Sequence, residues 1–316
     1  MYFPYFRGRQ YELLALKELA SQDLISKSVI PVVEPIKVIP ALKNSLLMFQ
    51  RKNLPLALIL NPAVGDLVDE YETIWDASST LLHNPKSSSV FPAIIMNKSS
   101  GDAMDWASEK GIKSSETLVI LNSEKYLENY ESLFNNSTNT AFPKYTLCPY
   151  DRRIRRKVKN HTVLFENRFT KQDRNADYPE EEEFSRDHID YKEDGYIGFG
   201  DYSIIGEEYV ESGFAPYAVA IHIVYFAEDG SLRIKHFVSD SKSDISNVAG
   251  KFYEAVEKLY KWYTSEHQER QLTTGLQVLL DHYKNKTYPG LPTLKKLSIM
   301  HHLELMGRYL DGRLGK

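Results

Sequence analysis

Short apolar runs recur along the chain with helix-patterned segments between them, an alternation that predicts βα units and a largely parallel sheet. The runs are "MYFPYF" (1–6), "SVIPVVEPI" (28–36), "PLALILN" (55–61), "SVFPAIIMN" (89–97), "ETLVILN" (116–122), "KYTLCPY" (144–150), "GYIGFGDY" (195–202) and "YAVAIHIVYF" (217–226). Between them, Leu13, Leu14, Leu16 and Leu19 share one helical face, Pro40 suits a helix start, and Gly111 suits a helix stop. Most strands follow one another at the repeat of a (β/α)8 barrel, and the pattern predicts an α/β, TIM-barrel-like single domain over 1–316. Asp229-Gly230 lies between two strand-like runs and predicts a late β-hairpin. Helical spacing of Val248, Phe252, Val256 and Leu259, with further helices near 270–284 and 292–310, predicts a helical C-terminal section over 245–316.

One stretch interrupts the alternation. "DRRIRRKVKNH" (151–161) is strongly basic and "DYPEEEEF" (177–184) strongly acidic, inside a charged excursion spanning 151–194. Adjacent blocks of opposite sign read first as a solvated, mobile excursion that compensates its own charge. The alternative is a contact arm for a phosphate-rich or acidic partner, with nucleic acid admitted through 152–159.

Composition narrows the class without naming a reaction. The 316 residues are 42% hydrophobic and 26% charged, with net charge −4, values of a globular chain with no global basic field. No run approaches the roughly 18 apolar residues of a membrane helix. The aromatic start followed by Arg7 and Arg9 reverses the order of a secretion signal, so no export is expected. A lone cysteine, Cys148, offers no disulfide and no thiolate cluster. A cytoplasmic location and no membrane association follow as expectations. No dinucleotide-binding glycine pattern, P-loop, G-x-S-x-G or H-E-x-x-H occurs; the glycines of "GYIGFGDY" run in the reverse spacing.

Parallel barrels build their sites where the strands end, at the C-terminal rim. The predicted strand ends carry Arg7 and Arg9, Glu34 and Lys37, Asn61, Asn97, Asn122, Asp151 and Asp201, with His222 inside the last. Turn and cap chemistry accounts equally well for the asparagines. Glu34 stands between two valines and Pro35, which excludes it from a helix; its carboxylate either points into the mouth or meets a partner, because an unpaired buried charge is costly. Arg7, Arg9 and Lys37 are candidate partners, either in a salt bridge without chemistry or as an anion site beside a general acid or base. Asp201, ending a glycine-rich strand, is the candidate second carboxylate, and the two acids are a possible Mg²⁺ pair. His222 alternates with alanines and reads as a satisfied interior histidine ahead of a ligand. His301 and His302 read as surface or packing residues. The 21 tyrosines are scattered and define no base-stacking platform.

"YFPYFRGRQYELLAL", with "PVVEPIK", "LALILNP", "GFGDY" and "SDSKSD", resembles the bacterial and phage "beta protein" family, whose members begin with a Pro-x-x-Arg-Gly-Arg-Gln/Lys-x-Glu signature. The resemblance runs over essentially the whole chain and transfers no catalytic residues. It implies a bacterial or prophage setting, a protein partner encoded nearby, and a role in phage defence or mobile-element conflict. On the residues, Gly8 is expected to permit a sharp turn and Glu12 to hold one guanidinium, forming a pre-organised anion site. Two readings follow: a partner-dependent protein with an anion-binding pocket at the barrel mouth, or a barrel hydrolase of phosphoester or other anionic substrates. In the second, Glu34 and Asp201 are catalytic, Arg7, Arg9, Lys37, Asn61, Asn97 and His222 bind substrate, and Glu34→Gln abolishes turnover in an intact fold.

Overall fold

A computed structural model describes residues 1–82, 89–134, 142–211, 216–265 and 268–314. The chain divides into two compact units, the first comprising Met1–Leu13, Lys27–Asn167 and Asp187–Tyr202, the second Leu14–Ser26, Arg168–Arg186 and Ser203–Lys316.

The first unit holds a closed parallel barrel, the architecture expected from the alternation of runs. Among the described residues its eight strands, in order around the barrel, are β1 (Tyr2–Phe6), β2 (Val32–Val33), β3 (Leu56–Ile59), β4 (Val90–Ile95), β5 (Leu118–Ile120), β6 (Tyr145–Cys148), β7 (Thr162–Glu166) and, after an intervening β8 outside the ring, β9 (Gly198–Asp201), which closes on β1. Parallel strands covered on both faces carry near-continuous apolar runs, and every residue of β1 is buried. Phe3 and Tyr5 point to the interior: Phe3 meets Tyr145 of β6 edge-on at 4.9 Å, and Tyr5 meets Phe165 of β7 at 5.8 Å. Closure requires glycine on β9. A Cβ at Gly200 would fall 2.5 Å from the Phe3 carbonyl oxygen, and one at Gly198 would fall 2.9 Å from the Phe3 ring. The alternating helices are α1 (Gln10–Ser21), α2 (Pro40–Lys52), α3 (Glu72–Leu82), α4 (Ser100–Glu109), α5 (Leu127–Phe134), α6 (Arg152–Lys157) and the single turn α7 (Asp187–Asp190). Pro40 opens α2, and Asn53 closes it in the left-handed conformation.

The last two barrel strands correct the sequence reading. The seventh is β7, a five-residue run inside the segment read as a solvated excursion, and 195–202 supplies the eighth strand. The run at 217–226 is outside the barrel. It contributes β10 (Ala220–Phe226) to a three-stranded antiparallel sheet in the second unit, ordered β10–β11–β8 with β11 (Leu232–Val238) and β8 (Glu181–Ser185). The hairpin at Asp229-Gly230 is present, with Ala220 to Phe226 paired against Val238 to Leu232.

The excursion is therefore structured, and several of its charges pair with neighbouring elements. Glu181 on β8 lies 2.8 Å from Arg233 and 3.4 Å from Lys235 of β11, an opposite-charge pairing across strands. In the first unit, Asp151 caps α6 by accepting the Arg153 and Ile154 amides, and Ile154 anchors the helix by burial. Arg153 pairs with Glu124 at 2.7 Å and Lys157 with Glu131 at 2.9 Å.

The second unit adds α8 (Val248–Ser265), α9 (Thr274–Lys284) and α10 (Leu291–Leu310). α10 packs on β10 and α9, and α8 packs on β11 through Trp262, which meets Phe237 at 5.5 Å. His301 and His302, read as surface or packing residues, are fully buried in α10. His301 Nε2 contacts the Val224 carbonyl oxygen at 2.7 Å and its Nδ1 the Thr273 hydroxyl at 2.7 Å; His302 Nδ1 meets the Ser203 hydroxyl at 2.9 Å. No helix among the described residues is long and apolar enough to cross a membrane.

Candidate functional site

The C-terminal rim of the barrel brings together Arg7 from the end of β1 and Glu34 from the end of β2. These two chain ends lie side by side because β1 and β2 pair in parallel, with Phe6 opposite Val33. The Glu34 side chain is fully buried, and both its oxygens are occupied. Oε2 accepts from the Tyr5 hydroxyl at 2.7 Å and from Arg7 Nη1, and Oε1 accepts the Ala63 amide at 2.6 Å. The Arg7 side chain retains 11% exposure. Its guanidinium carbon lies 5.0 Å from the Tyr5 ring centre and 5.4 Å from that of Tyr202, so two aromatic rings frame the cation. Burial opposes the Arg7 charge, but Tyr5 and Glu34 outweigh it and raise its pKa. Burial, reinforced by Glu34, pushes the Tyr5 phenol well up, so it stays a hydrogen-bond donor.

The glycine between the two arginines has a direct cause. Gly8 sits at φ +61°, and a Cβ there would fall 2.9 Å from the Glu34 carbonyl oxygen. The turn from β1 into α1 thus presses against the backbone of β2 at the residue that holds Arg7. Glu12, itself buried, fixes this turn in another way than expected: its Oε2 accepts the Arg7 amide at 3.0 Å and the Arg9 amide at 3.4 Å, in the manner of a helix-capping carboxylate.

The other sequence-predicted residues are distributed differently. Asp201 is buried on the opposite face of β9 from the mouth residues. Successive strand side chains point to opposite faces. Tyr202 meets the inward-facing Tyr5 at 5.0 Å, whereas Asp201 accepts from the Tyr2 hydroxyl at 2.7 Å, and Tyr2 stacks on Phe199 at 5.2 Å. Tyr2 and Tyr5 are three positions apart on β1 and so face opposite ways. Glu34 and Asp201 therefore do not meet.

Asn61 and Asn97 join the ends of β3 and β4. Asn61 Nδ2 donates to the Ile95 carbonyl at 2.7 Å and its Oδ1 accepts the Ile95 amide at 2.9 Å, prolonging the ladder by a side chain; its Nδ2 also donates to Asn97 Oδ1 at 2.9 Å. Lys37 pairs with Asp66 at 3.0 Å, both about half exposed, and Arg9 is half-buried. Exposed Asn122 ends β5, and Asp151 is the α6 cap. His222 is in β10 of the second unit and not in a barrel strand, which follows from the corrected strand assignment.

Tyr5 and Tyr202 were missed as members of the mouth. The sequence carries a signal for Tyr5, which shares strand parity with Arg7; Tyr202 follows only from the facing of Asp201, which the structure supplies. Among the described residues no group of three or more His, Cys, Asp or Glu side chains is placed to hold a metal ion. The Cys148 thiol is buried, and that burial pushes it up to about 12, which leaves it a poor nucleophile at neutral pH. No family model matches this chain, and no curated protein matches it in sequence.

Proposed function

We propose that this chain is a binding protein whose barrel mouth recognises an anionic group, on a small ligand or on a protein partner, through Arg7. The observation that carries this reading is the guanidinium itself: fixed by Glu34, framed by Tyr5 and Tyr202, and still partly exposed at the rim. A planar guanidinium held in one orientation suits carboxylate or phosphate, because little side-chain freedom remains to be lost on binding. Glu34 serves better as an orienting partner than as a base, since a substrate proton would have to displace one of its three donors. The barrel phosphoesterase is the less favoured reading, because its second carboxylate, Asp201, bonds to Tyr2 on the other face of the sheet. The bacterial defence or conflict setting, a partner encoded nearby and a cytoplasmic location are part of this proposal on the strength of the family resemblance and the composition alone.

Calorimetric titration of the full chain with inorganic phosphate and with succinate tests the reading. At least one is expected to bind, with affinity falling about tenfold or more in Arg7→Met. Absence of binding by both, or equal binding by wild type and Arg7→Met, removes Arg7 as the recognition element. Turnover of a phenyl phosphate ester lost in Asp201→Asn, with the fold intact, would restore the hydrolase.

A further inference from the structure

Within the second unit, a cavity of about 250 Å³ opens beside His222. That is room for a small organic molecule, on the order of eight waters by their share of liquid volume. Its apolar wall comes from Phe169, Ile204, Leu291 and Leu294, and its polar wall from Lys171, Lys295, Tyr178 and His222. Leu291, Leu294, Lys295 and Ser298 recur at helical spacing on the first turns of α10, so one face of that helix forms a side of the cavity. Among the described residues no aspartate or glutamate lines it. Lys171 lies 3.5 Å from Glu208, whose side chain is mostly exposed. Two lysines thus stand in its wall, and the positive end of the 20-residue α10 adds to the same sign.

The hydrogen-bonding state of the histidine in the wall follows from the charge on Glu182. His222 and His236 are directly opposite on β10 and β11, with their Nδ1 atoms 2.7 Å apart, and His236 Nε2 lies 3.3 Å from Glu182 Oε1 on β8. Burial drives His222 down to about 3 and His236 down to about 4, so both rings are neutral near pH 7. A neutral ring has one donor and one acceptor. With Glu182 ionised, His236 Nε2–H donates to it, His236 Nδ1 accepts, and His222 Nδ1–H is the donor between the rings. His222 Nε2 is then left as a bare acceptor. The ring itself is fixed by Tyr178 edge-on at 4.6 Å and Phe169 edge-on at 5.3 Å.

We propose that this cavity is a second ligand site, distinct from the barrel mouth, for a small anion that also carries a hydroxyl group, such as a polyol phosphate. Lys171 and Lys295 take the anionic end, and His222 Nε2 accepts from the hydroxyl. The Glu182–His236–His222 chain sets the tautomer that makes this acceptance possible, so Glu182 and His236 are positioning residues.

Glycerol 3-phosphate is the probe, with inorganic phosphate and glycerol as partial probes, titrated into the full chain by calorimetry and by long-range proton–nitrogen spectra of the histidine rings. The free protein is expected to show His222 protonated on Nδ1 and bare at Nε2, with the Nε2 resonance moving on addition of glycerol 3-phosphate. Its affinity is expected to exceed that of phosphate or glycerol, to fall about tenfold or more in Lys295→Met, and to approach that of phosphate in His222→Phe. Lys171→Met, at a partly exposed position, repeats the charge test should thermal melting show that a deeper variant does not fold. The proposal is overturned by a His222 protonated on Nε2, by no saturable binding at millimolar glycerol 3-phosphate, or by equal affinity for phosphate and glycerol 3-phosphate. Binding lost in Arg7→Met but kept in Lys295→Met assigns the ligand to the barrel mouth instead and equally overturns it.

Discussion

Gly8 and Glu34 set the terms at the residue scale. Alanine at position 8 must adopt φ near +61° and bring its Cβ to 2.9 Å from the Glu34 carbonyl oxygen, so Gly8→Ala is expected to cost at least about 1–2 kcal/mol in urea unfolding. Glu34→Gln removes the negative partner from the mostly buried Arg7 and leaves that charge uncompensated. Its expected cost is on the order of 3 kcal/mol, well above that of an exposed pair such as Arg153–Glu124. An unchanged midpoint in Glu34→Gln would show that solvent reaches Arg7 freely. The sequence made the Arg7–Glu34 meeting legible, because Pro35 and two β-branched neighbours fixed an extended carboxylate beside a strand-end arginine. The facing of Asp201 was not legible. Which parity of "GFGDY" points inward depends on the glycines that clear Phe3, and that contact is tertiary.

The strands and helices most easily misread are those whose charged residues find partners on other elements. β7 has only three apolar residues, Val163 to Phe165, within a charged segment, and β8 begins in a glutamate block whose stability as a strand comes from Arg233 and Lys235 on β11. Local patterning cannot foresee such partners, whereas β1 to β6 advertise themselves by their own apolar content. The short helix α6 exposes Arg152, Arg153 and Arg156, while Arg155 packs on Tyr150 and Tyr196 at 5.1 and 4.9 Å. Replacing the three exposed arginines by glutamine is therefore expected to leave the melting temperature nearly unchanged, and fluorescence anisotropy with a labelled single-stranded oligonucleotide then reads any nucleic-acid role directly. Binding that survives the triple replacement assigns that role elsewhere.

For the whole molecule, four buried histidines make the second unit acid-sensitive. His222, His236, His301 and His302 all lie there, with pKa values driven by burial from an ordinary 6.5 to about 3, 4, 4 and 3. Below pH 6.5 the unfolded chain takes up protons that these buried rings refuse, so stability falls as the pH drops from 6.5 toward about 4. Each ring steepens the fall by at most about 1.4 kcal/mol per pH unit; Glu182, raised by burial, acts in the opposite sense as a single group. Urea midpoints at pH 7 and 5 are expected to differ accordingly, and hydrogen exchange, corrected for intrinsic rate, is expected to rise first in α10 and β10. Ring closure has a consequence of its own for synthesis. Tyr2 and its acceptor Asp201 are 199 positions apart, so during synthesis β1 waits for its β9 neighbour with one flank unpaired. During that interval the nascent polypeptide presents an aromatic ribbon, and chaperone capture of that strand should persist until the glycine-bearing strand emerges to seal it.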